Sequence, residues 1–150
     1  MIIRNARAED VEALLPMATE FATSFAVDSD AFRNSFEMSL LVDHSLVLIA
    51  EVDSTPVGYL LGYDHVAFFA NGRVAGVEEI YVTPEHRGKG LGKALMQESE
   101  RWARDRGAIL VIAATRRADS FYRSIGYEES ATYFRKIVDE NTEQLSGRES

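Results

Sequence analysis

The sequence predicts a single mixed α/β domain, and three observations carry that expectation. Helical and strand periodicities alternate along the chain, with no repeat and no linker between them. Residues 77–106 read as strand, glycine-rich loop and helix, and the apolar run Ala108–Ala114 follows as the next strand. The length, 150 residues, is that of one domain and is enough to bury a core without a disulfide or metal staple. Residues 1–138 are assigned to the domain and 139–150 to a polar, frayed tail.

Each element has its own signal. Met1–Arg4 opens the first strand. From Val11, the positions Val11, Leu14, Leu15, Ala18, Phe21, Ala22 and Phe25 keep a helical period. Glu9 and Asp10 stand at the positive end of that helix dipole, and Pro16 is a candidate kink. A second helix is expected over 30–42, where Phe32, Phe36 and Leu40 recur four apart; Phe25, Phe32 and Phe36 read as core. Leu46–Glu51 is a strand, Asp53-Ser54-Thr55-Pro56 a turn, and Val57–Tyr63 the next strand. Asn71-Gly72 signals a hairpin that folds 76–82 back antiparallel, and the run Val66–Ala70 before it reads as sheet core or a dimer contact. Thr83-Pro84-Glu85 breaks the strand. Leu91, Ala94, Leu95, Glu98, Trp102 and Ala103 then trace a helix stripe that Gly107 caps. Ala108–Ala114 has the character of a strand buried on both faces. Ala118–Ile125 is a short helix stopped by Gly126, and Ala131–Val138 is expected as the last strand.

Composition excludes several functions. The net charge of −8 argues against nucleic acid as a partner. The charge is uneven: residues 1–76 hold 4 Lys+Arg against 11 Asp+Glu, whereas 86–123 hold 9 against 4. That split suits an anionic cofactor and a cationic substrate. The absence of cysteine excludes disulfides, a Cys-based metal site and a cysteinyl intermediate. His44, His65 and His86 lack metal-ligand spacing, so no metal is expected. The longest apolar run, seven residues, is far short of the ~20 that span a bilayer, so no membrane partner is expected either. Arg4, Glu9, Asp10 and Glu12 leave no signal-peptide core, which points to the cytoplasm.

Chemistry concentrates in Val77–Lys93. A strand followed by a glycine-rich loop and a helix start aims backbone N–H groups and the helix dipole at an anion, usually phosphate. The P-loop string is absent, and the dinucleotide fingerprint fails on glycine spacing and on the two glutamates in its strand. Arg87-x-x-Gly90-x-Gly92 resembles the coenzyme A pyrophosphate loop of the GNAT superfamily of N-acetyltransferases. Ala118-Asp119-Ser120-Phe121-Tyr122-Arg123-Ser124-Ile125-Gly126-Tyr127 resembles that family's A-x-x-F/L-Y-x-x-x-G-F/Y segment, one helix and one strand further on as the family requires. Tyr133-Phe134-Arg135-Lys136 looks like the family's last strand.

The resemblance is strongest over 77–136. It implies a GNAT-like domain whose sheet splays between two parallel strands, 77–82 and 108–114, with helices on both faces and acetyl-CoA in the opening. Backbone groups of Ile80, Tyr81 and Val82 would then pair with the pantetheine. Those running through Gly88, Lys89, Gly90, Leu91, Gly92 and Lys93 would hold the pyrophosphate beside Arg87. Thr115 stands where many relatives carry a cofactor-contacting Asn, and a hydroxyl replaces one of the amide's hydrogen bonds but not both. Arg116 and Arg117 read as a solvated face rather than a 3′-phosphate clamp.

Aligning Arg87 with its counterpart in the spermidine/spermine acetyltransferase branch puts Glu78 on that branch's proposed base and Glu79 on an acidic substrate-contact position. Other branches place the glutamate two residues earlier, where this chain has Gly76. As strand neighbours, Glu78 and Glu79 are expected to face opposite sides of the sheet. Tyr122 falls on the residue that protonates the departing thiolate. The implied activity is transfer of the acetyl group of acetyl-CoA to a small, cationic primary amine by direct attack in a ternary complex. A protein Lys or N-terminal acceptor, and a non-catalytic acyl-CoA sensor, are the alternatives. Relatives are often dimers, and a homodimer is compatible with the sequence.

Overall fold

Three antiparallel strands drawn from residues 45–82 form the centre of the molecule. The structure, a computed structural model, describes residues 1–139. In chain order the elements are β1 (Ile2–Asn5), α1 (Val11–Phe21), α2 (Ser29–Leu41), β2 (Ser45–Val52), β3 (Thr55–Ala67), β4 (Gly72–Val82), α3 (Leu91–Asp105), β5 (Ala108–Ala113) and α4 (Asp119–Ser124). The sheet runs β1-β2-β3-β4-β5, antiparallel except for the β4–β5 pair. Asp53 and Ser54, both at positive φ, make the tight β2–β3 turn, and left-handed Asn71 precedes β4. Among the described residues no helix is long and apolar enough to cross a membrane.

Strand alternation directs two cores to opposite faces of the sheet. On one, Leu46, Leu48, Leu60 and Val77 meet Leu91, Leu95 and Met96 of α3. On the other, Val47, Ile49, Tyr59 and Tyr81 meet Leu14, Met17 and Ala18 of α1 and Phe36 of α2. Leu48, Ile49, Leu60, Leu95 and Met96 are sealed from solvent, each contributing ~1.5–3 kcal/mol by burial. Of the three phenylalanines expected inside, Phe36 is buried, Phe32 stacks on it with 6.0 Å between centroids, and Phe25 lies at the surface.

The entrance to α1 is fixed by charge. Asp10 accepts hydrogen bonds from Arg4 at 2.8 and 2.9 Å and from the Arg7 backbone N–H at 2.7 Å, and Arg4 also reaches Glu51 at 2.6 Å. The Arg4 bonds, more than any other contact, hold the Asp10 carboxyl below the ordinary carboxylate range. Its stabilising contribution is therefore present above the unfolded pKa of about 3.9 and is lost as pH falls through the lower folded value. Asp10→Asn is expected to destabilise the fold by ~1–3 kcal/mol at neutral pH. Urea melts at pH 7 and in strong acid check this: the two proteins should differ at the first and converge at the second.

The C-terminal expectations need correction. Residues 131–138 form no strand; Tyr133, Phe134 and Val138 are exposed, and Arg135 ties the segment to Ser24, between α1 and α2, at 3.0 Å. β5 therefore lies at the edge of the sheet, and it is not buried on both faces: Ile109 is 66% exposed. An apolar run supplies strand propensity, but double-sided burial needs a covering neighbour, and among the described residues after α4 none lies along β5 as a strand. The run Val66–Ala70 is not sheet core, because Phe68 is 96% exposed and Phe69 nearly as open where the chain leaves β3. The expected tail lies, apart from Asp139, outside the described residues.

Candidate functional site

β4 outruns its parallel partner. Their pairing ends at Val77 opposite Ala113, whereas β4 continues to Val82, so the two strands part and Glu78–Val82 have no strand on that side. The Thr83 N–H donates to the Val57 carbonyl on β3 at 2.8 Å. By the alternation of an antiparallel ladder, Tyr81 also turns its N–H and C=O toward β3, and Ile80 and Val82 turn theirs toward the gap. The Val82 carbonyl accepts from Arg87 Nε at 2.7 Å, which leaves the Val82 N–H facing the opening.

The loop beyond β4 is built for close approach. A 3-10 turn, Pro84–His86, stops the strand, and the Arg87 guanidinium lies 5.2 Å over the Tyr81 ring. Gly88 (φ +75°) and Gly90 (φ +88°) occupy the left-handed region, where a side chain would be strained, and Gly90 caps α3. Gly88, Lys89, Gly90 and Lys93 are exposed, Leu91 is buried in the core, and the first N–H groups of α3 are left open toward the loop. Gly92 has a different reason to be glycine: a Cβ there would sit 3.3 Å from the Phe121 ring of α4.

Across the gap, a bulge arranges the carboxylates. Leu61 pairs with Glu79 and Gly62 with Val77, so Glu78 is the extra residue. This overturns the expectation that the two glutamates face opposite sides. The register puts Glu79 on the α1/α2 face with Tyr59, Tyr63, Gly76 and Tyr81. The charge of exposed Glu78 acts on both Glu79 and the Tyr63 hydroxyl. The buried Tyr59 hydroxyl donates to Glu79 Oε1 at 2.7 Å. Burial nevertheless pushes the Glu79 carboxyl above its ordinary pKa; the Tyr59 bond opposes this and the Glu78 charge adds to it. The Tyr63 ring covers Gly76, where a Cβ would lie 2.3 Å from Tyr63 Cζ and 2.4 Å from Oη. Position 76 can thus carry no carboxylate while Tyr63 keeps this rotamer.

Tyr122 is buried on the α3 side of the gap, edge-on to Phe121 (5.1 Å) and Tyr127 (5.6 Å). Burial raises its hydroxyl pKa, and that hydroxyl makes no hydrogen bond among the described residues. Thr115 Oγ1 accepts from the Ala118 N–H at 2.9 Å, leaving its own hydrogen to donate. Arg116 and Arg117 are exposed. Sequence reading does not single out Tyr59 and Tyr63. Their only signal is an i, i+4 spacing on one strand face, which gains meaning once the register opposite the glutamates is known.

A parallel pair that parts beside a glycine-rich loop at a helix N-terminus fits the architecture of a coenzyme A-dependent acyltransferase. The chain belongs to the GNAT acetyltransferase family, whose sequence model matches residues 11–127. It is 28% identical over 139 residues to an uncharacterized N-acetyltransferase of Bacillus subtilis, covering 89% of this chain and 93% of that protein. It is 32% identical over 149 residues to a thialysine N-epsilon-acetyltransferase of Bos taurus, covering 86% and 85%. Among solved structures, an integron cassette protein from the Cole Harbour salt-marsh metagenome superposes with a TM-score of 0.82 at 25% identity, over 93% of this chain and 92% of that one. The protein is an acyltransferase of a family that uses acetyl-CoA to acetylate amines.

Proposed function

We propose that the protein transfers the acetyl group of acetyl-CoA directly to a small primary amine, cationic at neutral pH. The observation that carries this reading is the pair Glu78 and Glu79, brought by one bulge to the same sheet face beside the strand gap. The backbone edges of Ile80 and Val82 receive the pantetheine, those of Tyr81 being turned to β3, and the N–H groups from Gly88 to Lys93 receive the pyrophosphate beside Arg87. Thr115 donates one hydrogen bond to the cofactor. An alkylammonium has a pKa near ~10 and must lose a proton before it can attack. Glu78, exposed at the bulge, takes that proton directly or through water, while half-buried Glu79 supplies the charge that draws the ammonium in. The amine nitrogen then bonds to the thioester carbon, and the oxyanion leans on the Val82 N–H. Collapse of this adduct breaks the C–S bond, and Tyr122 gives its proton to the departing thiolate.

A panel of amines, with free-thiol release as the readout, tests the reading. Small amines, polyamines among them, should turn over. Turnover confined to peptides would move the acceptor to protein. Acetyl-CoA binding without thiol release from any amine would leave only a sensor. Gly90→Val is expected to weaken acetyl-CoA binding more than tenfold by calorimetry, because the loop cannot hold its backbone angles with a β-branched side chain. Gly92→Val should also lower the melting temperature, through the Phe121 ring.

A further inference from the structure

A cavity of about 410 Å³, lined by His44, Tyr63, Asp64, His65, Val66 and Arg73, opens along β3, and Tyr63 of its lining stands two residues along the strand from Leu61, the partner of Glu79. Tyr63 belongs to both places, since its ring covers Gly76 and its hydroxyl feels the Glu78 charge. The charged groups of the wall are already engaged. The Asp64 side chain is sealed from solvent, and its Oδ2 is shared by Arg73 Nε at 2.6 Å and Arg106 Nε at 3.0 Å. Asp64 Oδ1 has no hydrogen-bond partner among the described residues but is sealed from solvent with the rest of the side chain, so this carboxylate is not presented to a second ammonium, and the Arg73 charge is already met by Asp64 rather than waiting for an anionic tail. The parts that remain open are flat or aliphatic. Tyr63 and His65 hold their rings nearly parallel, 5.5 Å between centroids at an interplanar angle of 12°, and His44 and Val66 are also part of the cavity lining. Parallel rings accept an uncharged, flat surface. Glu79 pairs with Leu61, so Tyr63 stands two residues and His65 four residues further along β3, ~7 and ~13 Å away at the strand rise.

We propose that this cavity is the second half of the acceptor site and that the acceptor is an arylalkylamine. Its ammonium meets Glu78 and Glu79, and its ring stacks on the Tyr63–His65 pair, through a spacer of roughly three to five methylenes that covers the ~7 Å to Tyr63. The inference rests on the acceptor site proposed above.

The test is a series of ω-phenylalkylamines of increasing chain length, each matched by its cyclohexyl analogue and by an α,ω-diamine of similar length, with thiol release from acetyl-CoA as the readout. The expected result is a kcat/KM maximum at intermediate spacer length, with the phenyl compound about fivefold better than the cyclohexyl one, within the range of one aromatic pair. His65→Ala should bring the phenyl-to-cyclohexyl ratio to about one, and His65→Phe should keep it. His65 is exposed, so neither change disturbs the core. Diamines that outrun every phenyl compound, a ratio that survives His65→Ala, or one that His65→Phe loses would each overturn the aryl subsite and leave acetyl transfer standing. Failure of all the amines to release thiol would overturn the acceptor site itself, and the inference with it.

Discussion

Tyr122→Phe is expected to lower kcat about 100-fold while leaving the KM for acetyl-CoA nearly unchanged. The substitution keeps the ring between Phe121 and Tyr127 and removes only the hydroxyl. Since that hydroxyl makes no hydrogen bond among the described residues, its loss should cost the fold little, and a urea melt should coincide with that of the wild type. Burial raises its pKa above the ordinary tyrosine value, so the donor form is fully populated at neutral pH. The same shift makes the hydroxyl a weaker acid than a free thiol, whose pKa is ~8.5, so proton donation must accompany C–S cleavage rather than precede it. It follows that any decline of wild-type kcat from ionisation of Tyr122 should come at higher pH than an unperturbed tyrosine would give. Single-turnover thiol release across alkaline pH, on both proteins, measures the effect. Full kcat in the variant, with the chemical step rate-limiting, would reduce Tyr122 to a packing residue.

What could be read from the sequence was local, and what could not was set by register. The Gly88–Gly92 loop and the Phe121-Tyr122 segment announce themselves because their chemistry is written in consecutive residues, and the helix periods around Leu14 and Leu95 do the same for α1 and α3. The carboxylate pair was legible as residues but not as geometry. Alternation of neighbouring side chains holds only in an uninterrupted ladder, and the bulge at Leu61/Gly62 that breaks it has no mark in the sequence of β4 alone. Gly92 belongs to the loop motif, yet its constraint comes from Phe121, 29 positions away. The strand expected at 131–138 fails for a related reason. Thr132, Tyr133, Phe134, Ile137 and Val138 carry high strand propensity, but a strand exists only where a neighbour offers its edge, and here the segment is held at Ser24 instead. Tyr63 reads as an ordinary residue at the end of its expected strand and His65 as surface or loop beyond it; the register of a strand that runs on to Ala67 places both in line with the glutamates.

The two glutamates should separate cleanly in a joint pH series, and Glu78→Gln should give the larger loss of rate. At pH 7 only about one amine in a thousand is unprotonated when its pKa is ~10. A variant without the base must wait for that fraction, so kcat is expected to fall about 100-fold or more. The penalty should shrink as pH approaches 10, where the free amine is already abundant, and the wild-type and variant curves should converge there. Glu79→Gln should act mainly on the KM for the amine and should also stabilise the fold. The sign follows from the raised pKa of Glu79: its proton is held more tightly folded than unfolded, so stability declines as pH rises from about 4.5 through the folded value, and the whole penalty is present above it. Gln removes the half-buried charge and can still accept the Tyr59 hydrogen bond. Its melting temperature should exceed that of the wild type at pH 7, with the gain fading near pH 4. Exposed Glu78 offers no comparable gain. Rates and melts on the same two variants therefore report different quantities, charge burial in one and proton transfer in the other. If Glu78→Gln keeps wild-type kcat from pH 6 to 9 while Glu79→Gln loses it in a way that high pH rescues, the base is Glu79, and exposed Glu78 is the group that meets the ammonium first.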